Sequence, residues 1–440
     1  MQKNYVKDCG SFYFVGIGGV SMSALAALLL RMGKVVGGCD RCESSFTRKL
    51  VGMGIPVTIG DAADDMLGYE AVVYTDAVGD NDKSVALARK NKIPLVPRGQ
   101  FLAMLSQCFN GVIAVAGSHG KSTCTAMLAH IFKVANRPFS CHIGAEDRQF
   151  SNAWMGGRSI FITEACEYKR NLLWLRPGIG IVLNCDADHL DCYGTAENVK
   201  SAYEQFASQS VCAVKLYGEL QKTHGVTFGF DNRADYYAKN LVGRDGRFSF
   251  DLCEGKSCLG QVCLNVYGKH NVLNALAATA AARLSGISFE DIRDGLASFT
   301  GIARRFEYIG TINGVTCIAD YAHHPNEIKA VLKTVRQVRK GKIFVIFQPH
   351  TYSRTKLLFR QFVNVLSNAD NLLIYRTYAA REYYDDAGSA LTLSRAIRRS
   401  KYADGIEGIC SFVSAAGADD TVLVLGAGDI YDIALMLVDR

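Results

Sequence analysis

The run Gly117-Ser118-His119-Gly120-Lys121-Ser122-Thr123 gathers the residue types that bind phosphate. Glycines let backbone N–H groups approach phosphate oxygens, a lysine neutralises them, and a neighbouring hydroxyl ligates a divalent cation. The run departs from the full Walker A pattern, because Val115 stands where its first glycine would be. A glycine turn with a chance Gly-Lys-Ser is the plain alternative. An apolar stretch before the run and a helical pattern after it favour a nucleoside triphosphate with Mg²⁺.

Such a pair needs further ligands from neighbouring strand ends. Glu164 follows the apolar run 160–163, and Asp186, Asp188, His189 and Asp191 follow the run 179–183. Ser122, Glu164 and His189 are therefore the metal-site candidates, set against the plain reading of loop carboxylates facing water. A second glycine turn, Gly16-Ile17-Gly18-Gly19-Val20-Ser21, approximates the dinucleotide fingerprint, with Ser21 in place of the third glycine and Asp40 as the ribose-binding acid further on. It places a nucleotide diphosphate on that turn without saying which. Taken alone it would suit an NAD(P)-dependent oxidoreductase, a reading that the phosphate loop argues against.

Other polar clusters have modest readings by themselves. Asn271 and Asn274 suit helix capping, and Arg304-Arg305-Phe306-Glu307 suits a solvated linker. Asp320-Tyr321-Ala322-His323-His324-Pro325 and Gln348-Pro349-His350-Thr351-Tyr352-Ser353-Arg354 each end an apolar run, so together they describe a cleft.

Alternating β and α patterns must position these residues. Strands are expected at 11–15, 34–38, 71–75 and 95–96, then at 112–116, 160–163 and 179–183, and finally at 316–320, 343–347, 372–375 and 422–425. Helices are expected over Val20–Arg31, 121–135, 271–284 and 288–299. Residues 225–267 read as short β segments between Gly and Asp turns, a small antiparallel patch. The alternation predicts α/β domains with parallel sheets.

Composition agrees. The chain has 440 residues, which suggests about three domains. With 49% hydrophobic and 21% charged residues, global disorder is excluded. The longest apolar stretch, 24–30, is far short of the ~20 residues that span a bilayer, and the first residues do not read as a signal peptide, so a cytoplasmic protein without membrane insertion is expected. A net charge of +7 fits anionic small substrates. Basic residues are not interleaved with aromatics, so no nucleic-acid partner is expected. The 15 cysteines follow no framework spacing, and reduced thiols are expected.

In chain order, Gly16-Ile17-Gly18-Gly19, the phosphate loop, Glu164-Ala165, the acidic run 186–191, Gly268-Lys269-His270-Asn271 with Asn274, Arg304-Arg305-Phe306-Glu307, the Asp320 and Gln348 runs and Gly426-Ala427-Gly428-Asp429 resemble the Mur ligases of peptidoglycan synthesis, in the branch that adds alanine. The resemblance implies three domains: residues 1–109, Rossmann-like, for a UDP-sugar; 110–301, a P-loop ATPase with a mostly parallel sheet; and 302–440, Rossmann-like, for the amino acid. It implies an ATP-dependent amide ligase joining L-alanine to the lactyl carboxylate of UDP-N-acetylmuramate through an acyl phosphate, with Mg²⁺.

Residue by residue, the resemblance implies Lys121, His189 and Arg305 as catalytic. ATP would meet Gly117, Ser118, His119, Gly120, Lys121, Ser122, Thr123, Asn271, Asn274, Arg305 and Asp320, the last at the ribose. Ser122 and Glu164 would hold a first Mg²⁺ and His189 a second. Gly16, Gly18, Gly19, Ser21 and Asp40 would hold the UDP-sugar; Tyr321, His323 and Arg354 would hold alanine. Cys166-Glu167-Tyr168-Lys169 departs from the family's usual Asp-Glu-Ser-Asp, and Cys166 and Lys169 stay unassigned. Thr351 stands where some members have a second arginine, leaving Arg354 as the main partner of the alanine carboxylate. Two alternatives share most of these motifs: a ligase that recycles murein peptide onto the same nucleotide sugar, and a catalytically silent relative. A monomer or homodimer is expected.

Overall fold

The computed structural model describes residues 4–60, 63–76, 78–79, 82–186, 190–380 and 382–438. It divides into two compact units. One comprises Met1–Val242, Ser249–Asn265 and His270–Thr300, the other Gly243–Phe248, Val266–Lys269 and Gly301–Arg440. Among the described residues the strands form three sheets, two of them in the first unit apart from strand ends within 243–248 and 266–267.

The first sheet contains β1 (Ser11–Val15), β2 (Val35–Asp40), β3 (Val57–Ile59), β4 (Ala71–Tyr74) and β5 (Leu95–Pro97), in the order β3-β2-β1-β4-β5. Among the described residues its neighbouring strands pair in parallel. Phe12 and Phe14 of β1 are wholly buried, as a central parallel strand covered on both faces requires. β1 is where the strand order reverses, so the glycine turn after it opens at the crevice where such sheets take ligands. The helix Val20–Arg31 follows, burying Met22, Leu25, Leu28 and Leu29.

The second sheet contains β6 (Gly111–Ala116), β7 (Phe139–Asp147), β8 (Ser151–Met155), β9 (Ile160–Glu164), β10 (Ile179–Val182), β11 (Cys212–Leu216), β12 (Val226–Gly229), β13 (Tyr236–Arg244), β14 (Arg247–Glu254) and β15 (Ser257–Tyr267). Their order is β15-β14-β13-β12-β11-β10-β6-β9-β7-β8. β6 lies between β10 and β9, parallel to both, so the phosphate loop also leaves a reversal point. The segment 225–267 extends the edge of this sheet: β12 pairs in parallel with β11 and β13 with β12, and β14 and β15 follow. Asp245 and Gly246, both at positive φ (48° and 72°), make the tight turn between β13 and β14. The antiparallel pair β7–β8 was not expected. Its turn is held by Asp147, whose carboxylate accepts the N–H groups of Gln149 and Phe150.

These two sheets share one hydrophobic core, running from Phe12, Phe14 and Phe101 to Phe161, Leu172 and Phe206. Phe109 and Phe161 stack within it at 4.6 Å between ring centroids.

The second unit carries β16 (Glu307–Ile312), β17 (Val315–Asp320), β18 (Ile343–Phe347), β19 (Asn371–Tyr375), β20 (Ser400–Ala403) and β21 (Thr421–Leu425). The order is β16-β17-β21-β18-β19-β20. All of its pairs are parallel except β16–β17. β16 was not expected, although Asn313-Gly314, both at positive φ, is a strong hairpin signal.

One cysteine expectation is corrected. Cys253 and Cys258 are joined as a disulfide across the β14–β15 turn, because the hairpin brings their side chains together; the other thirteen cysteines form no disulfide. Among the described residues no helix is long and apolar enough to cross a membrane.

Candidate active site

The phosphate loop joins β6 to the helix Lys121–Val134. Gly117 has φ +139° and Gly120 φ +86°, a region closed to most side chains. A Cβ at Gly120 would lie 2.5 Å from Asn274 Oδ1, so the loop backbone rests directly on the asparagine pair. Within that pair Asn274 Nδ2 donates to Asn271 Oδ1 at 2.9 Å. The first intrahelical bond runs from the Cys124 N–H to the Gly120 carbonyl. The N–H groups of Lys121, Ser122 and Thr123 therefore lie ahead of it, at the positive end of the helix dipole.

His119 is tied to the segment after β10. Its N–H donates to Asn184 Oδ1 (2.9 Å) and its carbonyl accepts from Asn184 Nδ2 (3.0 Å). Its ring Nε2 lies 3.4 Å from Asp186 Oδ2. Ser118 Oγ donates to the Asp186 carbonyl at 2.8 Å. The loop is thus anchored to the segment after β10 by side chains of 184 and 186.

Lys121 folds back over the loop. Its Nζ donates to the Gly117 carbonyl (2.6 Å) and to Glu167 (3.0 Å). Burial pulls this ammonium towards its neutral form, but the carboxylates of Glu167 and Glu164 outweigh it and hold the lysine above its ordinary value. Glu167 is 4% exposed, and the Tyr193 hydroxyl donates to its backbone carbonyl at 2.6 Å. Burial pushes the neighbouring Cys166 thiol up, so no thiolate nucleophile arises there.

Glu164 ends β9, in register with Val115 of β6, which brings it to the edge of the sheet that carries the phosphate loop. Its carboxylate accepts the Gly144 N–H. A Cβ at Gly144 would strike both carboxylate oxygens, so glycine there is what lets Glu164 lie against β7. His189 lies outside the described residues. Among the described residues no group of three His, Cys, Asp or Glu side chains is placed to hold a metal. Ser122 and Glu164 are both nearly buried and both offer hard oxygen. Mg²⁺ suits that donor set, since it takes few protein ligands and completes its shell with water and phosphate.

At the N-terminal turn, Gly16 has φ +80°, and the Gly18 N–H donates to Asp40 Oδ2 at 2.8 Å. Asp40 is the last residue of β2, and it fixes the turn. Ser21 Oγ lies 2.9 Å from His142 Nε2. Burial, with the Arg98 guanidinium nearby, holds His142 down at about 3, so its ring is neutral.

The second unit gathers its own cluster at the ends of β17 and β18. Asp320, 8% exposed, accepts the N–H groups of Phe306 (2.7 Å) and Ala322 (2.8 Å). Burial pushes its carboxyl up to about 6, against the pull of Arg305. The Arg305 guanidinium lies over the Tyr321 ring and 3.8 Å from Glu327 Oε1. Arg304 packs over Tyr321 and Tyr431. His323 Nδ1 lies 2.9 Å from the Tyr321 carbonyl, and its ring faces His350 at 5.6 Å. Arg354 Nη1 lies 3.1 Å from His350 Nδ1. Tyr321, His323 and Arg354 are therefore brought together, with His350 between the last two.

Glu167, Asn184, His142 and Glu327 carry no role from sequence. Glu167 and Asn184 hold the phosphate loop. His142 holds Ser21. Glu327 accepts the N–H groups of His323 and His324. Glu327 had a signal: His324-Pro325-Asn326-Glu327 has the spacing of a capping box with Pro at the first helical position, and that box forms. The other three act across 46 to 121 residues of chain, which no local pattern encodes.

Three family models match the chain in order: Mur ligase family, catalytic domain, over residues 11–110; Mur ligase middle domain, over 115–282; and Mur ligase, glutamate ligase domain, over 304–428. The chain is similar to a UDP-N-acetylmuramate--L-alanine ligase of Clostridium novyi (strain NT), 38% identical over 457 residues and covering 100% of both chains. It is similar in structure to a UDP-N-acetylmuramate-alanine ligase from Thermotoga maritima, with TM-score 0.85 and 27% identity over 97% of this chain and 98% of that one. A murein peptide ligase from Psychrobacter arcticus 273-4 shares the fold, with TM-score 0.76 and 22% identity over 97% and 98%. Matched from end to end in sequence and fold, the chain belongs to the Mur ligase family.

Proposed function

We propose that this enzyme joins L-alanine to the lactyl carboxylate of UDP-N-acetylmuramate, splitting ATP to ADP and phosphate, in the synthesis of peptidoglycan precursors. The observation that carries the reading is the phosphate loop, with the half-buried Lys121 held at its mouth by Glu167. An oxidoreductase has no use for such a charge, and a silent relative would not need to keep it.

A carboxylate is a poor electrophile, and phosphorylation gives it a leaving group. A lactyl carboxylate oxygen attacks the γ-phosphorus, the bond from that phosphorus to the β,γ-bridging oxygen breaks, and ADP leaves. The α-amine of alanine then adds to the acyl carbon, loses a proton, and the tetrahedral species expels phosphate. Negative charge gathers in both steps, so preformed cations supply most of the catalysis. Lys121, whose Nζ donates to the Gly117 carbonyl and, at 3.3 Å, to the Ser118 carbonyl, serves the γ-phosphoryl by exchanging these for phosphate oxygens while Glu167 keeps it oriented. The Lys121, Ser122 and Thr123 N–H groups serve the phosphates at the helix end. Ser122 and Glu164 would hold Mg²⁺, which when bound offsets phosphate charge. Asn271 and Asn274 shape the nucleotide side of the loop.

In this reading residues 1–109 take the UDP-sugar on the Gly16–Gly19 turn, 110–301 take ATP, and 302–440 take alanine through Tyr321, His323 and Arg354. Arg305 is a further cation for the phosphates. Asp320 clasps the backbone at Phe306, and any ribose contact comes in addition to that clasp. The enzyme works in the cytoplasm, as a monomer or homodimer.

The test is phosphate release with UDP-N-acetylmuramate, ATP and a panel of L-alanine, glycine, L-serine and L-alanyl-γ-D-glutamyl-meso-diaminopimelate. Release should require the sugar nucleotide and run fastest with L-alanine. One methyl group gives only ~1–3 kcal/mol of discrimination against glycine. Preference for the tripeptide would replace this reading with the recycling ligase.

A further inference from the structure

A buried hydrogen-bonded chain crosses the first unit from one sheet to the other. Arg98 Nη1 donates to Ser21 Oγ at 3.4 Å, and Arg98 Nη2 lies 3.6 Å from Asp76 Oδ2. Ser21 Oγ lies 2.9 Å from His142 Nε2. His142 Nδ1 lies 3.0 Å from Thr163 Oγ1, and Thr163 Oγ1 donates to the Glu164 carbonyl at 3.2 Å.

The two ends set the direction of every proton between them. A guanidinium only donates and a carbonyl only accepts. Ser21, receiving from Arg98, gives its own proton to His142 Nε2. A neutral imidazole that accepts at Nε2 carries its proton on Nδ1 and gives it to Thr163. The Thr163 proton then goes to Glu164. Run the other way, the chain would leave the Glu164 carbonyl facing a lone pair. His142 is 2% exposed and Thr163 fully buried, so water does not substitute for a missing link.

Strand β7 brings the two ends into step. His142 pairs with Thr163 in the β7–β9 register. Two residues further on, Gly144 donates its N–H to the Glu164 carboxylate. One strand therefore grips both the backbone before Glu164 and its side chain.

We infer that His142 is a positioning residue, fixed as the Nδ1–H tautomer, that sets the first turn of the Val20–Arg31 helix against the strand end carrying Glu164. It touches neither substrate nor metal. The inference rests on the ligase reading, in which that turn holds the sugar nucleotide and Glu164 holds Mg²⁺. It also changes the role of Ser21: its single hydroxyl proton is given to His142, so the N-terminal turn binds phosphate through backbone N–H groups.

Long-range ¹H–¹⁵N spectra of the full-length protein labelled at histidine read the tautomer without any catalysis. The His142 ring, told apart from His323, whose Nδ1 also faces a carbonyl, should show a protonated Nδ1 and a bare Nε2. That signal should vanish in His142→Asn, and its Nε2 resonance should move in Ser21→Ala. An Nε2–H tautomer at His142 overturns the proposal. Kinetics give the second readout. His142→Leu should raise both the KM for UDP-N-acetylmuramate and the Mg²⁺ concentration for half-maximal rate at least fivefold, with the KM for L-alanine within twofold. His142→Asn, whose amide reaches the Nδ1 position, should restore the Mg²⁺ dependence more than the sugar KM. An equal change for all substrates with a lowered melting temperature would make His142 an ordinary core residue. If His142→Leu does not fold, Ser21→Ala carries the same kinetic test. A wild-type protein without ligase activity removes the ligase reading, and the tautomer still decides whether the chain exists.

Discussion

Lys121 Nζ stands 3.0 Å from each carboxylate oxygen of Glu167. Partial burial at the mouth of a phosphate loop works against the charged form of this ammonium. Glu167 keeps it charged and aims it.

Lys121→Ala should abolish ligation and leave UDP-N-acetylmuramate binding intact, because the sugar nucleotide is assigned to the Gly16–Gly19 turn. Loss of a charge contact made in the transition state costs roughly 3–4 kcal/mol. Phosphate-release rates and calorimetric titration with the sugar nucleotide check both halves. Near-normal turnover would falsify the phosphate-loop assignment.

Glu167→Gln should lower kcat while changing the KM for L-alanine little, since it frees the lysine without removing it. A steady-state profile against each substrate checks this. A variant as fast as the wild type would leave Glu167 with a packing role alone.

Gly120→Ala should raise the KM for ATP at least tenfold. The left-handed conformation alone costs an alanine ~1–2 kcal/mol, and the new Cβ would press on Asn274 Oδ1. Nucleotide titration measures it, and unchanged affinity would show that the loop and Asn274 separate freely.

Asp320 gives the second unit a pH signature. Its folded value of about 6 lies above the ordinary carboxylate value, so its contribution to stability is fully present below about 4 and is lost as pH rises through about 6. Asp320→Asn lacks that loss. The variant's urea midpoint, taken relative to the wild type, should therefore rise between pH 4.5 and 7. A difference that stays flat with pH would show that Asp320 is not protonated in the folded state.

Arg354→Ala should raise the KM for L-alanine at least tenfold and that for ATP much less, as expected when an ion pair worth ~2–5 kcal/mol is lost. Equal changes for every substrate, with a lower melting temperature, would remove Arg354 from the alanine site. The neighbouring position is less permissive than the sequence suggests. Thr351 has φ +66°, and its hydroxyl caps the helix Tyr352–Leu357 by accepting the Arg354 N–H at 3.5 Å. Thr351→Arg should therefore lower the melting temperature by removing the cap, with no gain in alanine affinity.

The sequence by itself determined what is local. Gly117–Thr123 announces a phosphate loop because glycines, lysine and hydroxyl act within one turn of backbone. The strands 11–15 and 343–347 were legible because a buried parallel strand is a continuous apolar run. The family motifs carried the activity in the same way, as short runs of fixed spacing.

Only the tertiary structure decided which runs become neighbours. Residue spacing does not reveal the order β10-β6-β9-β7, since each parallel crossover has a choice of sides. That order sets Glu164 beside the loop, Glu167 on Lys121, and His142 between Ser21 and Thr163, across 121 and 21 residues of chain. The same holds for the first two sheets. Each has its own alternating pattern, but their common core exists only once Phe109 stacks on Phe161. Burial follows from that packing, and burial is what keeps His142 neutral and Asp320 protonated to about pH 6. An imidazole or a carboxyl has one ordinary pKa in the sequence, and its working value is set by the water that folding takes away.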